Sequence, residues 1–149
     1  MWSVTPVCCR HAELQEAPRV APRSGPEPEV IEALSKPAVR RVPGLRNQAV
    51  RAVNSVSANL AEGCARPSRA EFLRFVGIAI GSANELEAHL GLASRTSILS
   101  AEIHANLSDR LDLVRRMLIS LMRVLEEQIA ADENRSQDTD RASRSQQSG

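Results

Sequence analysis

Apolar residues recur along this chain at helical spacing. Leu45, Ala49, Ala52, Val56 and Leu60 are four, three, four and four positions apart, which predicts an amphipathic helix over about 45–62. Pro43-Gly44 stands before the run, and Gly63 stands after it where a helix C′ glycine is expected. Arg51, Ser55, Ala58 and Glu62 fall on the opposite face. A second stripe, Phe72, Phe75, Val76, Ala79, Ala83, Leu86 and Leu90, predicts a helix over 69–92. It opens on Ser68-Arg69-Ala70-Glu71, a capping box in which the Ser side chain and the Glu three residues on satisfy free backbone N–H groups. A third stripe, Ile103, Leu107, Leu111, Val114, Leu118, Leu121, Leu125 and Ile129, predicts a helix over 101–131 with Ser100 as its N-cap. Before these, Glu29–Lys36 holds two helical turns, ended by Pro37.

The ends of the chain lack such patterns. Residues 1–28 carry Pro6, Pro18, Pro22, Pro26 and Pro28 and no strand alternation, and are expected to be disordered. Residues 133–149 are Ser/Gln/Asp/Arg-rich and are expected to form a disordered polar tail. The expected domain is therefore 29–132, an all-α, up-and-down four-helix bundle whose first helix is truncated or degenerate. Three long stripes and one short one leave a groove where the rest of the first helix would lie. The two-turn helix is expected to dock near Leu45, because helices that short are unstable alone. The remaining groove is expected to stay exposed and to favour self-association. The most buried side chains are expected to include Leu60, Phe72, Phe75, Val76, Leu86, Leu90, Leu111, Val114 and Leu118.

Composition narrows the function classes. The 149 residues suit one small domain, with 42% hydrophobic and 25% charged residues. Aromatics are only 2% (Trp2, Phe72 and Phe75), which argues against aromatic-rich β architectures and base-stacking platforms. Three cysteines make no dense disulfide framework, and no Cys/His spacing fits a zinc finger. No apolar stretch approaches the roughly 20 residues of a membrane span. The start has no basic region followed by an apolar one, so no signal peptide is expected and a cytoplasmic setting is.

Net charge is +1, unevenly spread. Between Arg40 and Phe75 seven arginines face two glutamates, and between Val76 and Arg135 acids are in excess; the split reads either as opposite charges paired between neighbouring helices or as a basic surface for a phosphate backbone or another acidic partner.

The run from Gly44 to Leu90 carries two motif blocks in order: Gln48, Arg51-Ala52, Ser55 and Ala58-Asn59-Leu60-Ala61-Glu62-Gly63, then Ser68, Glu71-Phe72-Leu73-Arg74-Phe75, Ile78-Ala79, Gly81-Ser82, Glu85-Leu86 and Leu90. These blocks resemble the bacterial four-helix bundle proteins encoded in intervening sequences of 23S rRNA genes. The resemblance implies a four-helix bundle, a ring-like homopentamer and no known catalytic activity. A distant branch of that family serves as the accessory protein of diversity-generating retroelements, binding a reverse transcriptase and nucleic acid. The family opens with a long first helix rich in aromatic and aliphatic residues. Here only Val30-Ile31-Glu32-Ala33-Leu34 and Lys36-Pro37 resemble its end, and Ser57 stands where the family usually has Pro.

The candidate chemistry is sparse. Glu85 and His89 form a lone i,i+4 pair with no second copy, so neither a di-metal site nor an acid–base pair is expected. Cys8-Cys9 with His11 lacks a fourth ligand, and Cys64, at a helix C-terminus, is no activated nucleophile. There is no Gly-rich phosphate loop, no G-x-S-x-G and no H-E-x-x-H. No catalytic or metal residue, cofactor, small-molecule substrate or membrane partner is expected, and the chain reads as a non-enzyme. Arg51, Ser55, Asn59, Glu62, Arg74 and Glu85 are candidate oligomer-interface residues. Arg40, Arg41, Arg46, Arg66 and Arg69 are candidate nucleic-acid contacts. The expected partners are further copies of the chain, with RNA or a reverse transcriptase beside them. The leading expectation is a homo-oligomeric structural or adaptor protein. The alternatives are a nucleic-acid-binding accessory protein of a reverse transcriptase and a degenerate, non-functional copy.

Overall fold

The computed structural model describes residues 26–146, with side chains to residue 138. The Pro-rich segment 1–25 and the Cys8-Cys9-His11 group lie outside the described residues. Four α-helices follow in order: α1 Glu27–Ala33, α2 Leu45–Cys64, α3 Arg69–Arg95 and α4 Ala101–Gln146, with a 3₁₀ turn Pro37–Arg41 between the first two. Among the described residues there is no strand. α3 runs between α2 and α4 and packs along both, and the short α1 lies against α2 and touches α4. Among the described residues the helices take the corners of an up-and-down bundle, with α1 filling its corner for two turns.

Local chemistry fixes the boundaries. Pro28 and the acids Glu27 and Glu29 sit in the first turn of α1, where a missing N–H costs nothing and negative charge suits the dipole. Val30 and Leu34 are fully buried and tie α1 to the Leu45 end of the bundle. α2 starts after Gly44, whose φ of 82° is a left-handed conformation that glycine adopts without steric cost. At the start of α3 the Ser68 Oγ accepts the Glu71 N–H at 3.2 Å, and the Ser68 hydroxyl lies 3.1 Å from the Glu71 carboxylate. At the start of α4 the Ser100 Oγ accepts the Ile103 N–H at 3.3 Å.

The α3–α4 connection is a Schellman motif. The Ile98 N–H reaches the Ala93 carbonyl at 2.9 Å and the Ser97 N–H reaches the Ser94 carbonyl at 3.0 Å. Ser97 takes the left-handed position with φ 56°, and Ile98 is buried behind it.

The core has two parts. Small residues at the α2–α3 contact, Ala49, Ala52, Ala79 and Ala83, let these helices approach closely, beside Leu86, Leu90, Leu107, Leu111 and Leu118. Phe72, Val76 and Leu125 form a second cluster at the other end. Of the side chains expected to be most buried, Leu60, Phe75 and Val114 are only half-buried. The seven-residue α1 ends before it can cover Leu60 and Val114, and Phe75 lies at the bundle edge under the Arg66 guanidinium.

Two expectations about helix ends need correcting. Gly63 is not a C′ residue but lies inside the last turn of α2, without positive φ. Its lack of a side chain serves packing instead: a Cβ there would fall 2.7 Å from Phe72 Cδ2 and 2.8 Å from Phe75 Cβ. α4 continues to Gln146 rather than ending near 131. Asp132, bonded to Arg69 at 2.5 Å, marks the level where α3 begins, and residues 133–138 are all exposed beyond it. With no Pro or Gly before Gln146, each further residue adds a backbone bond without a new nucleation step.

Candidate functional site

The polar motif residues separate into two groups. Ser55 and Asn59 are half-buried and face α3. Asn59 Nδ2 donates to the Ser55 carbonyl at 2.7 Å and to Ser55 Oγ at 3.0 Å. Ser55 Oγ lies 3.0 Å from Ser82 Oγ, and Ser82 is itself 3.0 Å from the Ile78 carbonyl and buried. The Ser82 hydroxyl is within donating distance of both Ser55 Oγ and the Ile78 carbonyl, and its single proton serves one of them at a time. These residues join α2 to α3 within one chain.

Arg51, Glu62, Arg74 and Glu85 are exposed. Glu62 pairs with Arg66 one turn on, and Arg66 stacks over Phe75 with 5.0 Å to the ring centroid. Glu85 lies 3.6 Å from His89. Arg51 and Arg74 project into solvent from the two neighbouring helices.

The candidate nucleic-acid arginines divide by position. Arg40, Arg41 and Arg46 are exposed around the 3₁₀ turn and the start of α2, with exposed Lys36 beside them. Arg66 and Arg69 lie past the far end of α2, about 30 Å away along a 20-residue helix. Both have acidic partners there, Glu62 and Asp132. The structure thus assembles a basic end from residues 36–46 and does not bring Arg66 and Arg69 to it.

One cluster was not legible in the sequence. The Ser108 hydroxyl donates to Glu87 Oε1 at 3.0 Å, and His104 Nε2 lies 3.5 Å from Ser108 Oγ and 3.9 Å from the Glu87 carboxylate. The i,i+4 spacing of His104 and Ser108 is visible in the sequence, but their meeting with Glu87 depends on the register of α3 against α4. A serine that donates to a carboxylate is not activated by the histidine as a nucleophile. Among the described residues no group of three or more His, Cys, Asp and Glu is placed to hold a metal ion. No helix among them is long and apolar enough to cross a membrane.

The fold is an all-α bundle of three long helices and one short one, held by apolar stripes and an α2–α3 polar bridge. The family model of the 23S rRNA-intervening sequence protein matches residues 28–120, and the chain belongs to this family. The match runs from α1 through the first part of α4 and stops short of its projecting end. Among solved structures, the chain is similar to a protein with unknown function from the S23 ribosomal protein family of Bacteroides thetaiotaomicron VPI-5482, whose crystal structure is at 1.70 Å resolution. The TM-score is 0.58 and the identity 26%, over 64% of this chain and 87% of that one. A search of the curated proteins found no match.

Proposed function

We propose that this chain is a non-catalytic subunit that works by assembling with further copies of itself, as a structural or adaptor element. The observation that carries this reading is the disparity of the four helices. α1 has 7 residues, whereas α2 has 20, α3 has 27 and α4 has 46. Among the described residues, Leu60 on α2 and Val114, Met117 and Leu121 on α4 are half-buried where α1 does not reach. An apolar corner of this kind favours cover by another chain. Light scattering coupled to size exclusion between 1 and 100 µM tests it. A mass that is a multiple of 16.2 kDa, growing with concentration, is expected. A constant monomer mass overturns it.

A second reading, RNA association, is favoured by a separate observation, the exposed group Lys36, Arg40, Arg41 and Arg46 at one end of the bundle. Binding through phosphates weakens steeply with salt. Fluorescence anisotropy with a labelled RNA at two salt concentrations, on the natural chain and on the triple variant R40A/R41A/R46A, tests it. Salt-sensitive binding lost in the variant supports the reading, and binding equal in both removes its basis.

A further inference from the structure

We infer that the pocket between the 3₁₀ turn and the start of α2 takes the terminal phosphate of an RNA strand, with Arg40 and Arg46 as its anion-binding side chains. This rests on the RNA reading and names the part of the RNA that the basic end holds.

The chain makes a recess at this end of the bundle. The 3₁₀ turn Pro37–Arg41 leads through Val42-Pro43-Gly44 into α2. Between that turn and the first turn of α2 lies a pocket of about 300 Å³. Val39 and Val42 give it apolar walls, and Arg40, Arg46 and Asn47 give it polar ones. Gly44 lines it without a side chain, and nothing stands within 4 Å of where a Cβ would be. A ligand can therefore come close to the backbone there.

The pocket's cations are free to bind. Arg66, Arg69, Arg110 and Arg115 each pair with a carboxylate of the chain. Arg40 and Arg46 are exposed and make no ion pair among the described residues. The first turn of α2 holds no acidic residue, so no carboxylate there competes with an incoming anion. Each guanidinium offers a planar fork of donors that matches two phosphate oxygens at once.

The form of the pocket selects the kind of phosphate. A phosphate inside a strand carries a single charge and continues into sugar on both sides, so it lies across a recess rather than in it. A terminal phosphate carries about 1.5 to 2 negative charges at neutral pH and presents three acceptor oxygens. It continues into the strand on one side only. It can enter the recess end-on, meet both guanidiniums, and leave the strand to run outward. Arg41 is exposed on the same turn but does not line the pocket, and exposed Lys36 precedes the turn. These two are placed to meet phosphates further along the strand, where the charge is single and position carries no preference.

Fluorescence anisotropy with two RNAs of one sequence tests the inference, both labelled at the 3′ end, one starting with a 5′-phosphate and the other with a 5′-hydroxyl. The natural chain should bind the phosphorylated strand about tenfold more tightly, the effect of one added charge-assisted contact. Arg40→Ala and Arg46→Ala should each bring that ratio close to one. Arg41→Ala should weaken both RNAs alike and keep the ratio. All three positions are exposed, and circular dichroism checks that each variant keeps its helices. Adenosine 5′-monophosphate carries the same group without a strand and should compete only far above the RNA concentration. Competition at equal concentration assigns the pocket to a free nucleotide and overturns the strand-end inference. Binding that ignores the strand end but falls in R40A/R41A/R46A overturns the inference and leaves the RNA reading standing. A preference for the phosphorylated end that survives both pocket variants overturns the placement at Arg40 and Arg46. No binding of either RNA overturns the RNA reading itself, and the inference with it.

Discussion

The α-carbon of Gly63 lies against the ring of Phe72 so closely that a single added carbon would sit 2.7 Å from Cδ2. This contact sets the approach of the end of α2 to the start of α3, at the turn that joins the two motif blocks. The Phe75 Cβ is as near, at 2.8 Å from the same point, and a Cβ cannot move aside without its backbone. Gly63→Ala should therefore destabilise the fold by about 1–3 kcal/mol, although alanine is the better helix former. Gly81 supplies the control: it lies mid-helix in α3, is exposed, and has nothing within 4 Å of an added Cβ. Gly81→Ala should stabilise the chain by up to about 1 kcal/mol. Urea unfolding of the two variants should move the midpoint in opposite directions. A shared direction would contradict the packing role of Gly63.

Ser97 offers a gain of stability at a loop. It holds the left-handed position of the Schellman motif, where its Cβ is strained. Ser97→Gly should raise stability by about 1 kcal/mol, seen as a melting temperature several degrees higher. No change, or a fall, would mean that the connection does not adopt this geometry in solution.

Phe72 and Leu60 test how the core divides. Phe72 is 4% exposed and anchors the second cluster, so Phe72→Ala should cost roughly 3–5 kcal/mol. Leu60 is half-buried at the edge of the corner, and Leu60→Ala should cost only about 1–2 kcal/mol. Equal losses in denaturant unfolding would show Leu60 fully enclosed and the corner closed.

What could be foreseen from the sequence was local. Stripes such as Leu107, Leu111, Leu118 and Leu125 repeat within one helix, and Ser68 and Ser100 act on backbone N–H groups three residues away, so both signals are contiguous in the chain. Gly63 misled because a glycine at the end of a stripe reads as a cap, while its real contact is with another helix. Ser55 misled for a similar reason. A small hydroxyl opposite an alanine stripe reads as a candidate contact between copies, yet it meets Ser82 of the same chain where the closely packed α2 and α3 pass. The arginines from 40 to 69 read as one basic run, but the 20 residues of α2 carry its two ends apart. The reach of α4 past Asp132 had no sequence marker, because the marker would have been a Pro or Gly that is not there.

The central claim is that three long helices and a fragment of a fourth are completed by another copy of the chain. The concentration dependence of the melting temperature tests it most directly, since folding coupled to association is stabilised by mass action. Thermal unfolding followed by circular dichroism from 1 to 100 µM should show the midpoint rising with concentration. A sharp, cooperative transition at one temperature across that range would show that the chain closes its own core, and would contradict the account.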